Sequence, residues 1–507
     1  MKMDFVKTKR KGLYKKSPLS LDFDPKGCYH NFSMYKGGEG MEKLRRSTRT
    51  EVDMTEGALL KKILIFAIPV LISNVLQCLY NAADIVVVGR FSSDLALAAV
   101  GATTSVINLV INLFIAISAG VSVTVATAVG ARNRERTQKL VHSAVLLALL
   151  FGSVVTVAGI FLTRPLLEMM KTPADIIDMS TAYMRIFLGG SIFNLVYNFG
   201  AAILRAAGDS RRPLYYLTIA GIANVILNLF FVILLDMAAA GVATATVIAQ
   251  AISATLVMIR LLRHEGDCRL YLKKLRLYGR ETLDILRMGL PGSVQSLVFS
   301  LSNTMIQASI NSFENSLLVA GNSAALNIEG FIYNAMNAMY TTAVTAVGQN
   351  VGAGKHDRIG RVMRYCVATV VVIGLVFGVT MFAFAEPLLS IYLPKSPDAV
   401  QYGIVRLSVI AFTYFLCGVM DTLVGCQRGM GTTLVPMIAS VCGVCGIRMV
   451  WIVTIFAYFH TLESLYLSYP ATWIFTAVMQ FVLYVIVKRR LVRRANAYVA
   501  EKERIPA

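Results

Sequence analysis

Charged residues are scarce in this chain. They make up 15% of its 507 residues, against about 25% in an average soluble protein, while 56% of the residues are hydrophobic. Apolar runs of roughly 20 residues, each long enough to cross a bilayer, recur from Lys62 to Lys488. The alternation typical of membrane β-strands is missing. Because backbone groups in lipid must be paired internally, the runs predict transmembrane helices.

Other absences exclude whole classes of protein. The glycine-rich stretch 347–356 lacks the GxxxxGK[ST] spacing of a nucleotide-binding loop, and no other segment has that spacing. The five histidines lie in links, tails or span ends, and six of the eight cysteines fall within predicted spans, where small residues pack between helices. We therefore expect neither an enzyme nor a metal protein. We also expect no cofactor, and transport energy from an ion gradient rather than from ATP.

Twelve spans with short polar links are predicted. The first six cover about residues 63–88, 99–128, 139–163, 176–204, 213–235 and 240–262, and the second six about 286–309, 324–350, 362–385, 400–427, 434–458 and 466–487. The predicted fold is all-α and polytopic, with two six-helix lobes. The first lobe covers 57–262 and the second 286–488, and a link over 263–285 joins them. A basic tail over 1–56, predicted to be disordered, precedes the first lobe, with alternative starts at Met41 and Met54, and a second tail covers 489–507.

Basic residues are distributed unevenly between the two sides of the predicted spans. If Met1 is cytoplasmic, the links on that side contain twenty Lys and Arg, and those on the other side four. This positive-inside asymmetry places both termini in the cytoplasm. We therefore interpret the net charge of +20 as topology rather than nucleic-acid binding. The link 263–285 suits either a helix on anionic lipid headgroups or a solvated linker.

The two lobes repeat each other at a spacing of about 222 residues. The matching pairs are Pro69 and Pro291, VGA at 129–131 and at 351–353, and, after one inserted residue, Pro213 and Pro436. Because each copy has six spans, both copies have the same orientation in the membrane, and the pseudo-two-fold axis that relates them runs along the membrane normal. Secondary transporters bind their cargo at the interface between such repeats, so the repeat also predicts transport.

Polar residues in the first-lobe spans form one candidate site. An ionisable side chain in lipid costs about 2.5–3.5 kcal/mol on insertion scales, so each requires a reason. Asp84, toward the outer end of span 1, either faces the inter-lobe cavity and exchanges protons or pairs with Arg90. Asn224 and Asn228 share one face of span 5, and Thr246 lies on span 6. These three either orient Asp84 or make ordinary interhelical hydrogen bonds.

The second lobe contains a different set of ionisable residues. Glu329 lies near the outer start of span 8, where it can be exposed, while Asp421 lies in span 10 and Arg448 in span 11. An Asp421–Arg448 pair would neutralise two costly charges. Arg185 and Arg406 occupy nearly matching repeat positions, and we expect both to snorkel toward the membrane surface.

Several segments, taken in order, resemble the multidrug and toxic compound extrusion (MATE) family. They are IPVLISNVLQCLYNAADIVVVGR, VSVTVATAVGAR, ILRAAGDSRRP, NVILNLFF, GVATATVIAQ, VGQNVGAGKHDR and QRGMGTTLVP. The resemblance covers nearly everything beyond the first tail. It implies two six-helix lobes facing each other in a V, and export of cationic or amphipathic compounds in exchange for H⁺ or Na⁺.

The resemblance also assigns roles to individual residues. Asp84 resembles the acid of the first helix that the family uses in ion coupling, and Thr246 resembles the helix-6 Thr of that site. Asn224 matches the Asn of the family's N-x-x-x-D pattern, whereas Asn228 replaces its Asp. The Na⁺-coupled branch has a Glu on helix 7, but residues 291–310 contain no acid. The resemblance therefore favours a first-lobe site and H⁺ over Na⁺.

Together these observations predict a monomeric exporter of organic cations or amphipathic drugs in the cell membrane, surrounded by lipid. We expect aromatic and Met side chains near the lobe interface to contact the cargo, with carboxylates attracting cations. A flippase for a polyprenyl-linked or other lipid is the alternative. It would require a more basic cavity than Arg185, Arg406 and Arg448 provide.

Overall fold

The computed structural model describes residues 51–394 and 396–503, so most of the predicted first tail lies outside the described residues. All regular structure in this part of the chain is helical. The first lobe contains α1 (Leu59–Phe91), α2 (Asp94–Gly130), α3 (Arg134–Met169), α4 (Ile177–Gly189 and Ser191–Ala206), α5 (Arg211–Leu229, continued by a π turn over Phe230–Leu234) and α6 (Ala238–Leu262).

The second lobe repeats this order. It contains α7 (Gly279–Asn311), α8 (Ser316–Gly352), α9 (His356–Ala383, followed by a short helix over Ala385–Tyr392), α10 (Pro397–Ile410 and Tyr414–Gly429), α11 (Leu434–Ser440, Ile447–Trp451 and Ala457–Phe459, joined by π turns over Val441–Gly446 and Ile452–Phe456) and α12 (Leu462–Glu503). Each predicted span corresponds to one of these twelve helices.

Ten of the twelve helices are apolar enough to be recognised as spans by composition. Eight qualify singly, and α4 and α10 qualify as bent pairs, with breaks of 40° and 51°. The remaining two, α7 and α8, have 33 and 37 residues and are long enough to cross, but they contain more polar residues. The polar residues of these two helices are therefore unusual for lipid-embedded segments.

The first helix of each lobe packs into the core of the other lobe. Ile63 and Phe66 of α1 are buried against Met339 of α8, and Ile285 of α7 is buried with Leu140 of α3. These contacts lie on the side where α1 begins and α12 ends, which carries most of the Lys and Arg and is called the basic side below. The lobes therefore interlock on the basic side.

Two symmetrical glycine contacts close the basic side. A Cβ on Gly130 of α2 would overlap the carbonyl of Gln349 on α8, and a Cβ on Gly352 of α8 would overlap the carbonyl of Thr127 on α2. The paired positions are 222 residues apart, so the pseudo-two-fold axis relates the two contacts. Only glycine permits backbones to approach this closely.

Residues 51–57 lie between the lobes on the basic side, although the sequence analysis assigns most of them to the first tail. Met54 is fully buried, and its backbone N–H donates to Oε1 of Gln349 in the second lobe, at 3.0 Å. The N–H of Val52 donates to the carbonyl of Gly208 in the first lobe, also at 3.0 Å. This short segment therefore ties the two lobes together.

The inter-lobe link packs on the first lobe. Cys268 and Leu270 are buried in that lobe's core, and the N–H of Tyr271 donates to Nε2 of His142 on α3, at 3.1 Å. It contains one 3-10 turn over Leu272–Lys274, and α7 begins at Gly279, within the predicted bounds of the link. Burial of Cys268 raises the pKa of its thiol, which keeps it protonated and unreactive.

Candidate functional site

Four first-lobe residues from three helices form one connected group. Nδ2 of Asn228 donates to Oδ1 of Asp84, and the hydroxyl of Thr246 lies 3.2 Å from Oδ2 of the same carboxylate. Nδ2 of Asn228 also donates to Oδ1 of Asn224, at 3.2 Å, and Nδ2 of Asn224 donates to the Thr246 hydroxyl, at 3.3 Å. The structure thus brings all four predicted residues together.

The helix geometry explains this convergence. Asn224 and Asn228 are one turn apart on α5, and a π turn over Phe230–Leu234 begins immediately beyond them. Such turns are rare and often occur at functional sites. On α6, the Thr246 hydroxyl also lies 2.9 Å from the carbonyl of Val242. A hydroxyl has one proton, so Thr246 can donate either to its own helix or to α1, but not to both.

The Asp84 carboxylate has only neutral hydrogen-bond donors around it. Among the described residues no Lys or Arg forms an ion pair with it, and the alternative pairing with Arg90 does not form. Tyr183 of α4 is the other titratable group close enough to interact with it. Asn228 is fully buried, and its Oδ1 has no hydrogen-bond partner. The site therefore offers one uncompensated negative charge and several oxygen atoms, which suits a small cation.

The second lobe corrects the predictions for Glu329 and Arg406. Arg406 does not snorkel: its side chain is fully buried, with Nε 2.6 Å and Nη2 2.9 Å from the two carboxylate oxygens of Glu329. Glu329 is only 3% exposed. Nη1 of Arg406 donates to Oδ1 of Asn322, at 2.8 Å. A bidentate buried pair of this kind satisfies both charges, so neither needs to reach water.

The predicted Asp421–Arg448 pair is wrong. In the part of the chain that the structure describes, no ion pair joins the two residues. Arg448 instead lies over the ring of Tyr469, 4.3 Å from its centroid, with Nη1 3.4 Å from Oδ1 of Asn303 and a buried Nε without a partner. The two residues are at different depths: Asp421 is eight residues from the basic end of α10 and Arg448 fourteen from that of α11, or roughly 9 Å apart along the helix axes.

Depth would have identified the pairing that the sequence analysis missed. Glu329 lies thirteen residues from the outer end of α8 and Arg406 nine from that of α10, so the two charges are roughly 6 Å apart in depth, closer than Asp421 and Arg448 are. The repeat gives the same answer. In the first lobe, the position that corresponds to Glu329 is Ile107. Arg185, which nearly matches Arg406 in the repeat, therefore has no equivalent acid to pair with, and it is exposed.

Comparison with known proteins identifies the family. A family model described as MatE matches residues 69–230 and 291–454, one segment in each lobe and more than half of the chain in total. The chain belongs to the MatE family. This is the MATE family, which the sequence segments quoted above resemble. Its members are membrane transporters and not enzymes.

Curated relatives match over most of their length. The chain is 26% identical to the probable multidrug resistance protein YpnP of Bacillus subtilis, over 78% of this chain and 88% of that protein. It is 26% identical to the probable multidrug resistance protein NorM of Thermotoga maritima, over 77% and 84%. It is also 22% identical to an FAD transporter of Shewanella oneidensis, over 78% and 87%.

Solved structures match the fold closely. A crystal structure of MATE in complex with MaL6 superimposes with a TM-score of 0.83 at 21% identity, covering 88% of this chain and all of that chain. The outward-facing conformation of a multidrug resistance MATE family transporter gives 0.82 at 21% identity, over 88% and 99%. The twelve transmembrane helices and two lobes of this chain are therefore those of MATE transporters.

Proposed function

We propose that this chain is an ion-coupled antiporter that exports amphipathic drugs and organic cations in exchange for H⁺. The observation that carries the proposal is the Asp84 carboxylate, which is surrounded by neutral donors and has no basic partner among the described residues. An uncompensated charge in a membrane-spanning helix is costly. Binding and release of a cation in each transport cycle explains why this costly charge is present in the helix.

A proton suits the site better than a sodium ion. Both carboxylate oxygens of Asp84 already face donors, one from Asn228 and one from Thr246. A proton needs only one of these oxygens. A sodium ion binds to oxygen lone pairs, so both donors would have to turn their hydrogens away from it. Na⁺ becomes the coupling ion only if the amides of Asn224 and Asn228 both present their oxygens.

Protonation of Asp84 changes the contacts between helices. A protonated carboxyl donates through one oxygen and can no longer accept a hydrogen bond there in the same way. Thr246 can then donate to the carbonyl of Val242 and accept from the carboxyl, or Asn228 can turn away. In either case the contacts that join α1 to α5 and α6 are rearranged. We infer that this change lowers the affinity for cargo while the cavity faces outward. The lobes then rock, the closed basic side opens, the proton leaves and new cargo enters.

The second-lobe residues have other roles in this proposal. Glu329 is neutralised by Arg406, so it is not available to bind an exchangeable ion. Asp421 and Arg448, both among the described residues, lie at different depths and form no ion pair with each other, so we do not assign them to one site. We place the protein in the cell membrane as a monomer, with the basic side in the cytoplasm, because the excess of Lys and Arg lies on that side.

The test is ethidium efflux from cells that lack their own exporters. Wild type and Asp84→Asn are compared with and without a protonophore, and in sodium-free buffer. We expect efflux from wild type that disappears with the protonophore and persists without sodium, and none from Asp84→Asn at equal expression. Normal efflux from Asp84→Asn would refute coupling through this carboxylate, and efflux that requires sodium would replace H⁺ by Na⁺.

A further inference from the structure

We propose that the preferred cargo is recognised by side-chain amides and hydroxyls rather than by carboxylates, and is therefore a compound rich in hydrogen-bonding groups with no net charge. The inference rests on the proposed function and ranks its cargo: uncharged, amphipathic compounds are exported more strongly than organic cations. It derives from the faces that the four inter-lobe helices, α1, α2, α7 and α8, turn toward the opposite lobe.

One face of α8 contacts the other lobe and continues as a row of amides. Gly352 on this face packs against α2 on the basic side. At 100° per residue, Asn327, Asn334 and Asn337 lie on the same face farther out, where Asn327 is exposed and the other two are half-buried. Nδ2 of Asn74 on α1 donates to the carbonyl of Asn334, at 3.0 Å. The amide row of α8 therefore faces the first lobe.

The equivalent face of α7 has the same character. The hydroxyl of Ser293 donates to the carbonyl of Leu113 on α2, at 2.7 Å, which fixes this face toward the first lobe. Asn311 lies on the same face at the outer end of the helix and is exposed. Gln307 is bonded within the second lobe, where it donates to Asn311 and accepts from Asn322 of α8. Asn303 lies about 80° away from Ser293 around the helix and accepts from Arg448 of its own lobe, so it is not part of this face.

The first lobe presents matching groups. Gln77 and Asn81 lie on the face of α1 that packs on α8 farther in, and both are exposed. Asn108 and Asn112 are exposed on the face of α2 that contains Gly130. Asn112 and Asn334 are 222 residues apart, so the pseudo-two-fold axis relates these two amides across the interface.

Exposed amides in these positions indicate a water-filled cleft. Polar side chains are avoided against lipid, yet all four helices carry exposed amides on the side toward the opposite lobe. The outer stretches of these helices are residues 74–88, 98–115, 293–311 and 316–341. They contain only two charged residues, Asp84 and Glu329. Both acids are engaged, Asp84 with α5 and α6 and Glu329 with Arg406.

Amides select cargo differently from carboxylates. A carboxamide both donates and accepts hydrogen bonds, so it complements hydroxyl and amide groups. A permanent cation without such groups leaves the amides unpaired and gains no opposite charge. A site built to hydrogen-bond its ligand discriminates strongly against compounds that lack those groups.

The experiment compares two probes in cells without their own exporters. Chloramphenicol is uncharged and carries two hydroxyls and an amide, whereas ethidium is a permanent cation without hydroxyls. We measure how far wild type raises the growth-inhibiting concentration of each. Both probes should be exported, but the expected increase is at least about 10-fold for chloramphenicol and only about 2-fold for ethidium. Asp84→Asn should remove the protection.

A charge introduced at one amide sharpens the test. Asn112→Asp keeps the shape of the side chain but adds a carboxylate, and should lower the ratio of chloramphenicol to ethidium protection by at least about 5-fold. Asn112→Ala should lower chloramphenicol protection alone. Asn198→Ala is the matched control, because the Asn198 amide bonds only to Asn194 within its own helix. If Asn112→Asp is not expressed, Asn108→Asp on the same face of α2 is tested in its place.

The outcomes separate the two proposals. Protection against ethidium without protection against chloramphenicol, or an unchanged ratio in well-expressed Asn112→Asp, overturns the cargo inference and leaves the antiporter proposal intact. If wild type and Asp84→Asn are indistinguishable for both probes, the antiporter proposal itself fails, and the cargo inference fails with it.

Discussion

The two lobes place their intramembrane acids at different positions of the repeat and treat them in opposite ways. In the first lobe, Asp84 faces only amide and hydroxyl donors, one of them from Thr246. In the second lobe, Tyr469 occupies the position that corresponds to Thr246, and Glu329 is held by two hydrogen bonds from Arg406. The repeat thus preserves the helices but not the chemistry. Only the lobe whose acid lacks a basic partner can respond to an ion.

The difference has a physical basis in desolvation. A buried acid and base that are paired stabilise each other, and removing one partner leaves an uncompensated charge. The Glu329–Arg406 pair therefore has one stable state. Asp84 has two, because its donors are neutral and a proton can neutralise it at modest cost. Variants that remove one charge at a time test this distinction.

The largest effect is expected at Asp84, and on transport. Asp84→Asn should reduce gradient-driven efflux to the level of cells without the protein. Its unfolding free energy should change by less than about 1 kcal/mol, since Asn keeps the shape and the hydrogen-bond acceptor of the side chain. Efflux and denaturant unfolding in detergent measure the two properties. A misfolded Asp84→Asn would place this acid in the same structural role as Glu329.

The opposite result is expected at Glu329. Glu329→Gln leaves the buried Arg406 uncompensated and should lower the unfolding free energy by about 3–5 kcal/mol. Removing both charges, in Glu329→Gln with Arg406→Met, should restore much of that loss. The same denaturant titration applies. A stable Glu329→Gln that lacks efflux would instead assign ion coupling to the second lobe.

The symmetrical glycine contacts provide an intermediate effect. Gly130→Ala and Gly352→Ala each insert a methyl group against a backbone carbonyl of the other lobe, and each should cost about 1–3 kcal/mol. Gly101→Ala on α2 is the control: nothing lies within 4 Å of its Cβ position, so it should be neutral or stabilising by up to about 1 kcal/mol. Clearly unequal costs at Gly130 and Gly352 would show that the interface departs from two-fold symmetry.

The smallest effect is expected at Arg448. Its guanidinium is buried without an acid partner among the described residues. Arg448→Met removes this buried cation together with its contacts to Tyr469 and Asn303, and the two effects offset each other. The unfolding free energy should change by no more than about 1 kcal/mol. Arg406→Met should be far more damaging, because it leaves Glu329 uncompensated. Equal losses for the two variants would indicate that Arg448 has an acidic partner after all.

Local and long-range features of this chain differ in how far the amino-acid sequence predicts them. The twelve helices and the grouping of Asp84 with Asn224, Asn228 and Thr246 were predictable, because hydrophobic runs, helix period and family pattern are local signals. The partners of the second-lobe charges were not: Arg448 was assigned to Asp421, whereas the buried pair is Glu329 with Arg406. Such pairing depends on the depth and rotation of several helices at once.

The sequence by itself determined that this protein is a doubled membrane bundle with one unusual acid in its first helix, since the cost of polar groups in lipid is visible in composition and spacing. Only the tertiary structure decided how the lobes interlock on the basic side, that Met54 lies buried between them, and which helix faces carry amides toward the opposite lobe. Those features arise from contacts between residues up to about 300 positions apart, and no local pattern specifies such contacts.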